Sequence, residues 1–337
     1  MSWWPTVVRS RAQPWVVLEL EPTHAYPDLL RRPVAAGDEY LHVHLCSMRL
    51  PFERRWTSAY HASLNSYVRV EQGGAEFLLT TSPAQLRSIG AGDRRRIAMG
   101  KTRLAGPVPY LGGGIELEIG LFAIKDRDLA GPYLDFLQSL GDATGVSFVG
   151  PAIQMISPLR QGLTGLLGLA DTTLEAGAVR TLDPARTGVF AVLAITRDKL
   201  GDRHPHLVDD TLCWSDGSVV DDIAHVIFSV ESSTHRADWR AVPGLADAYQ
   251  DLAAAVRNDR YTDVTDCLAR LRRTMLLSPD LTPRDVDTIV NHVTTMINKA
   301  FAGSGQSRTD KHLPGLTDLT IFVDAANEPA NLDLSTP

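Results

Sequence analysis

Two hydrophobic periods divide the chain. Over roughly its first 230 residues the apolar positions recur every second residue or fill short runs, which is the signature of strands. Trp15–Leu20 (WVVLEL) is a short β-rich run. In Glu39–Leu50, Leu41, Val43 and Leu45 fall on one face and His42, His44 and Cys46 on the other, which predicts a half-buried strand. Ser63–Glu71 and Glu76–Thr81 flank Gly73-Gly74, a hairpin signal. Ile115, Leu117, Ile119 and Leu121 alternate with Glu116 and Glu118. Gly188–Thr196 (GVFAVLAIT) and Ile223–Val230 (IAHVIFSV) are continuous apolar runs that suit buried strands, and Asp216-Gly217 marks a turn between them.

From about residue 240 the period lengthens to that of a helix. Leu245, Tyr249, Leu252 and Val256 form one stripe, and Val264, Cys267, Leu268, Leu271 and Met275 a second. A third runs through Val286, Ile289, Val290, Val293, Ile297 and Phe301. It opens on Thr282-Pro283 with Asp285 following, which reads as an N-cap, a proline at the first helical position and an acid in the first turn. The fold expected is α+β: an antiparallel β-sandwich-like domain over 1–240 with a helical insertion at about 127–170, then a helical subdomain over 241–301. Residues 302–337 read as a Gly/Ser-rich linker, a returning strand at Leu316–Val323 and an unstructured tail.

Composition narrows the function classes without choosing one. The chain has 337 residues, and its 33 basic against 40 acidic side chains give a net charge of −7, which argues against nucleic acid as a partner. Three scattered cysteines, Cys46, Cys213 and Cys267, suit free thiols in a reducing compartment. The N-terminal sequence lacks the charged and apolar regions of a signal peptide, and no stretch is apolar for about 20 residues, so a cytoplasmic location is expected and a membrane one is not.

Candidate chemistry is sparse. His204, His206, Asp209 and Asp210 form the densest group of metal-ligand types, with Pro205 holding the two imidazoles on an extended backbone. They suggest a metal-dependent hydrolase, in which a bound divalent ion would lower the pKa of its water. His42, His44 and Cys46 also share one strand face at ligand-like spacing. Arg94, Arg95, Arg96, Lys101 and Arg103 form a basic run suited to an acidic partner. Gly112-Gly113-Gly114 precedes a strand, whereas phosphate-binding glycine loops follow one. No G-x-S-x-G elbow occurs, so no catalytic residue and no cofactor are assigned. His235-Arg236-Ala237-Asp238-Trp239 reads as a polar buttress at the junction with the helices.

Two resemblances add direction. The strand IELEIGLFAIK followed by Asp126-Arg127-Asp128 and Gly131-Pro132-Tyr133 resembles the first strand and acidic loop of C2 domains over about 20 residues. Gly131 stands where that family has an aspartate, so no calcium ligand is carried over. RTGVFAVLAIT and HVIFSVESSTHRADWRAVP resemble stretches of bacterial proteins encoded near multi-protein conflict systems. The function expected is a non-enzymatic interaction or scaffold protein of a bacterial cytoplasmic multi-protein system, with a protein partner. The alternatives are the hydrolase above and a C2-like or membrane-associating module through residues 143–170.

That last segment is the least ordinary in the chain, because Arg160 is its only charged residue. Its many large apolar side chains, each worth about 1.5–3 kcal/mol when buried, cannot all stay in water. Phe148→Asp or Ile156→Asp is expected to lower the melting temperature of the whole protein. An unchanged melting temperature with loss of a partner or of liposome flotation would make the segment an interaction surface instead.

Overall fold

A computed structural model describes residues 15–21, 31–52, 54–55, 58–72, 76–80, 96–125, 173–183, 185–208, 211–242, 244–258 and 261–302. The expected helical insertion at 127–170, the C2-like loop and the returning strand at 316–323 lie outside them. The chain divides into two compact units. The second comprises residues 35–41, 107–111 and the chain from 232 onward, and the first comprises the remainder.

The fold is α+β, with antiparallel sheets and a few helices, and no closed barrel forms among the described residues. The strands are β1 (Val16–Leu20), β2 (Tyr40–Arg49), β3 (Arg54–Arg55), β4 (Ser58–Val70), β5 (Glu76–Thr80), β6 (Arg96–Pro109) and β7 (Ile115–Lys125). They continue with β8 (Thr173–Leu182), β9 (Gly188–Leu193), β10 (His206–Val208), β11 (Thr211–Cys213) and β12 (His225–Ser233). One sheet has the order β1-β9-β12-β2-β6, a second joins β3, β4, β7 and β8 with β5 also on β4, and β10 and β11 form a separate ribbon.

In the first sheet β9 lies between β1 and β12, so all six of its residues are buried. Phe190 is in register with Phe228 of β12, and the two rings stack at 5.2 Å. Such cross-strand aromatic pairs fix register as well as contributing area. β2 lies between β12 and β6 and is buried on both faces: Leu41, Val43 and Leu45 on one, His44 and Cys46 on the other. The half-buried strand expected from its alternation is therefore a central strand. Its polar-looking face is covered, with Cys46 in an apolar cluster that includes Val16, Leu20 and Ala191.

The second sheet turns on the long β4–β7 ladder, from Tyr60↔Lys125 to Val70↔Ile115. The Gly73-Gly74 hairpin reading holds in the pairing of β4 with β5, although residues 73–75 are outside the described set. One face carries Leu64 and Val68 against Leu121 and Leu117. The opposite face carries Tyr67 beside Glu118 and Ser63 beside Phe122, and all four are buried. Glu118 is thus interior, where alternation alone suggested solvent. Before β7 the chain turns through Gly112 and Gly113 at φ 104° and 77°, a conformation open to glycine but strained for other residues. That turn is tied down by Gly114 N–H donating to the Glu71 carboxylate at 2.9 Å.

The first unit also holds α1 (Arg197–Leu200). In the second unit, α2 (Leu245–Arg257), α3 (Tyr261–Leu277) and α4 (Pro283–Ala302) share one apolar cluster. Leu245, Tyr249, Leu252 and Val256 of α2, Val264, Leu271 and Met275 of α3, and Val286, Ile289, Val293 and Ile297 of α4 are its buried members, as the three stripes predict. Thr282 caps α4 through its hydroxyl, which accepts from Asp285 N–H at 3.2 Å. No helix of the described residues is long and apolar enough to cross a membrane.

Phe190→Ala removes a wholly buried ring from the centre of the first sheet and is expected to cost about 3–5 kcal/mol. Urea unfolding followed by fluorescence measures it. A loss below about 1 kcal/mol would contradict the central position of the pair.

Candidate functional site

A densely connected polar group surrounds Asp285, in the second unit. Its carboxylate is 1% exposed, at the third position of α4. One oxygen accepts from the Tyr40 hydroxyl at 2.8 Å and from the Arg236 backbone N–H at 2.9 Å. The other accepts from His235 Nδ1 at 3.1 Å. Because a carboxylate only accepts, this contact places a proton on Nδ1. The Tyr40 oxygen in turn accepts from Thr282 N–H at 3.0 Å, so the cap residue and the acid are bridged through one phenol. Arg236 extends the group, with Nε donating to Asp238 at 2.9 Å and Nη1 to the Asp280 carbonyl at 3.0 Å. Trp239 closes it edge-on against Tyr249 at 5.7 Å.

The electrostatics follow from burial. Desolvation, and then the adjacent Asp285 carboxylate, push the Tyr40 phenol far above its ordinary value, so it stays a donor. Asp285 gains further from the positive end of the α4 dipole. The arrangement resembles the Asp–His half of an acid–base site, but each of its contacts ties down a chain segment. Tyr40 brings in the start of β2, His235 and Arg236 the segment after β12, and Thr282 the entry to α4. His235 and Arg236 join a polar cluster centred on Asp285, and it lies within the second unit. Tyr40 was not legible as a partner, because 245 residues separate it from Asp285.

A different feature of the same unit faces solvent. The last turn of α3 exposes Leu276 (55%) and Leu277 (77%), with Arg272 and Arg273 exposed one turn earlier. Arg272 reaches Asp287 at 3.7 Å, whereas Arg273 has no charged partner among the described residues. Cys267 on the same helix is half-buried, and burial pushes its thiol up, away from the reactive thiolate.

The other sequence candidates are in the first unit. His204 is exposed and His206 half-buried at the start of β10, opposite Cys213. Asp209 and Asp210, between β10 and β11, lie outside the described residues. Among the described residues no three metal-ligand side chains converge. His42 and His44 stack at 5.9 Å, and His44 lies 3.4 Å from Glu231, which also accepts from Ser229 at 2.7 Å. Arg94 and Arg95 are outside the described residues; Arg96, Lys101 and Arg103 lie on β6, where Arg103 is half-buried. The Asp216-Gly217 turn forms as expected, and hydrogen bonds from Ser218 hold the Asp216 carboxyl below its ordinary value.

No protein-family model, curated protein or solved structure matches the chain.

Tyr40→Phe removes a donor to Asp285 and the acceptor of Thr282 N–H, and is expected to cost about 1–3 kcal/mol at neutral pH. The phenol's folded pKa is raised, so its contribution is fully present below about pH 10 and is lost as pH rises beyond the unfolded value. Urea unfolding of both proteins at neutral and strongly alkaline pH should show their difference shrinking. A difference that stays constant would contradict a buried, acid-paired phenol.

Proposed function

We propose that the protein is a non-enzymatic interaction protein of a bacterial cytoplasmic multi-protein system. The observation that carries this reading is the end of α3, where Leu276 and Leu277 stand in solvent beside Arg273. Two adjacent apolar side chains, and a guanidinium with no charged partner among the described residues, suit a protein surface that offers an apolar strip flanked by carboxylates. The acid–base groups around Asp285 support the same reading, since they are committed to holding chain segments together. In this reading the two large sheets pack as a sandwich. The basic run from Arg94 to Arg103 offers a further acidic-partner surface.

The test compares purification of the wild-type chain and of a Leu276→Asp/Leu277→Asp variant from the native host. A defined partner should accompany the wild type and be lost in the variant, with the melting temperature within about 2 °C because both side chains are exposed. Retention of the partner by the variant would contradict the site. A stoichiometric divalent metal with hydrolytic turnover, both lost in His204→Ala/His206→Ala, would replace the reading with the hydrolase.

A further inference from the structure

The first unit contains a half-open cleft of about 530 Å³ where β9 ends and β12 begins. That volume is in the range of small-molecule sites. The two strands are still joined there by Ala194 N–H donating to the Ala224 carbonyl at 2.9 Å. Ile195 and Ile223, both nearly buried, give the cleft an apolar floor. Its polar wall carries Lys199, Arg203 and Asp222.

The two cations are placed in different ways. Arg203 is fixed: its guanidinium lies over the Trp214 ring at 4.3 Å, and Nη2 donates to the Lys199 carbonyl at 2.7 Å. A second, longer bond runs from Nε to the Leu200 carbonyl at 3.5 Å. These contacts leave Nη1 without a protein acceptor among the described residues. Lys199, four residues earlier, has only backbone hydrogen bonds, and its ammonium has no partner among the described residues. Asp222, from the segment opposite, is exposed and also lacks a charged partner among the described residues. Two cations four residues apart repel one another, and an anion between them reverses that term. A phosphate monoester, with up to two negative charges, answers both the guanidinium held on the Trp214 ring and the Lys199 ammonium, where a single carboxylate carries one charge. Asp222 disfavours a second negative charge on its side and favours a hydroxyl donor.

We propose that this cleft binds a small phosphate monoester bearing hydroxyl groups. The phosphate sits between Lys199 and Arg203, and a hydroxyl of the same molecule donates to Asp222. No covalent step is involved, and the site is separate from the α3 surface proposed for a protein partner.

The test is titration of the full-length chain with ribose 5-phosphate, inorganic phosphate and ribose, read by amide chemical shifts. Saturable shifts at Ala194, Thr196 and Ile223 are expected, with ribose 5-phosphate binding at least about tenfold more tightly than either of the other two. Lys199→Gln, which removes no side-chain contact, should weaken ribose 5-phosphate at least about tenfold at an unchanged melting temperature. Asp222→Asn should strengthen inorganic phosphate and erase the preference for the ester. No saturable binding by about 10 mM, shifts centred elsewhere, or a Lys199→Gln variant that binds like the wild type would each overturn the proposal.

Discussion

A carboxylate removed from water must be answered by donors, and the second unit is organised around that requirement at Asp285. Moving such a charge into the interior costs several kcal/mol unless hydrogen bonds replace its hydration. Three donors do so here, from Tyr40, His235 and Arg236, and each belongs to a segment that the apolar cluster alone would hold with less specificity. Burial of the helical stripes drives the segments together, and the carboxylate selects the one alignment in which every donor is satisfied. Thr282 adds to this, because its hydroxyl caps α4 while its amide fixes the acceptor side of Tyr40.

The first unit uses polar groups in another way. Its sheets bury Ser63, Tyr67 and Glu118 on one face of β4 and β7, and His44 with Glu231 between β2 and β12. Interior polar residues of this kind restrict the register of a sheet, since a slip by one residue would move every side chain to the other face. Charges without a partner among the described residues are instead found at the surface, on Lys199, Asp222 and Arg273. The first two line the cleft of one unit, and the third lies on a helix of the other.

Much of the element pattern was legible because it depends on short-range periodicity. The three helical stripes and the Thr282-Pro283 start needed no knowledge of the tertiary fold. β6 and β8 were not legible. Gly106, Pro107 and Pro109 interrupt the first, and the second, TLEAGAVRTL, is built largely of small and polar residues. Its Gly177 lies opposite Gly120, a position with no side chain to announce a strand. Alternation correctly assigned the two faces of β2 and β7 but gave the wrong environment to His44 and Glu118, since coverage of a face depends on what packs over it. The Tyr40–Asp285 pairing was out of reach for the same reason, being set by folding and not by spacing.

Asp285 and its donors form one structural unit. A double-mutant cycle with Tyr40→Phe and Asp285→Asn, measured by urea unfolding, tests it most directly. Groups sharing one buried hydrogen-bond network couple by about 0.5–3 kcal/mol, and the account predicts a coupling energy above about 1 kcal/mol. Additive effects of the two substitutions would contradict it.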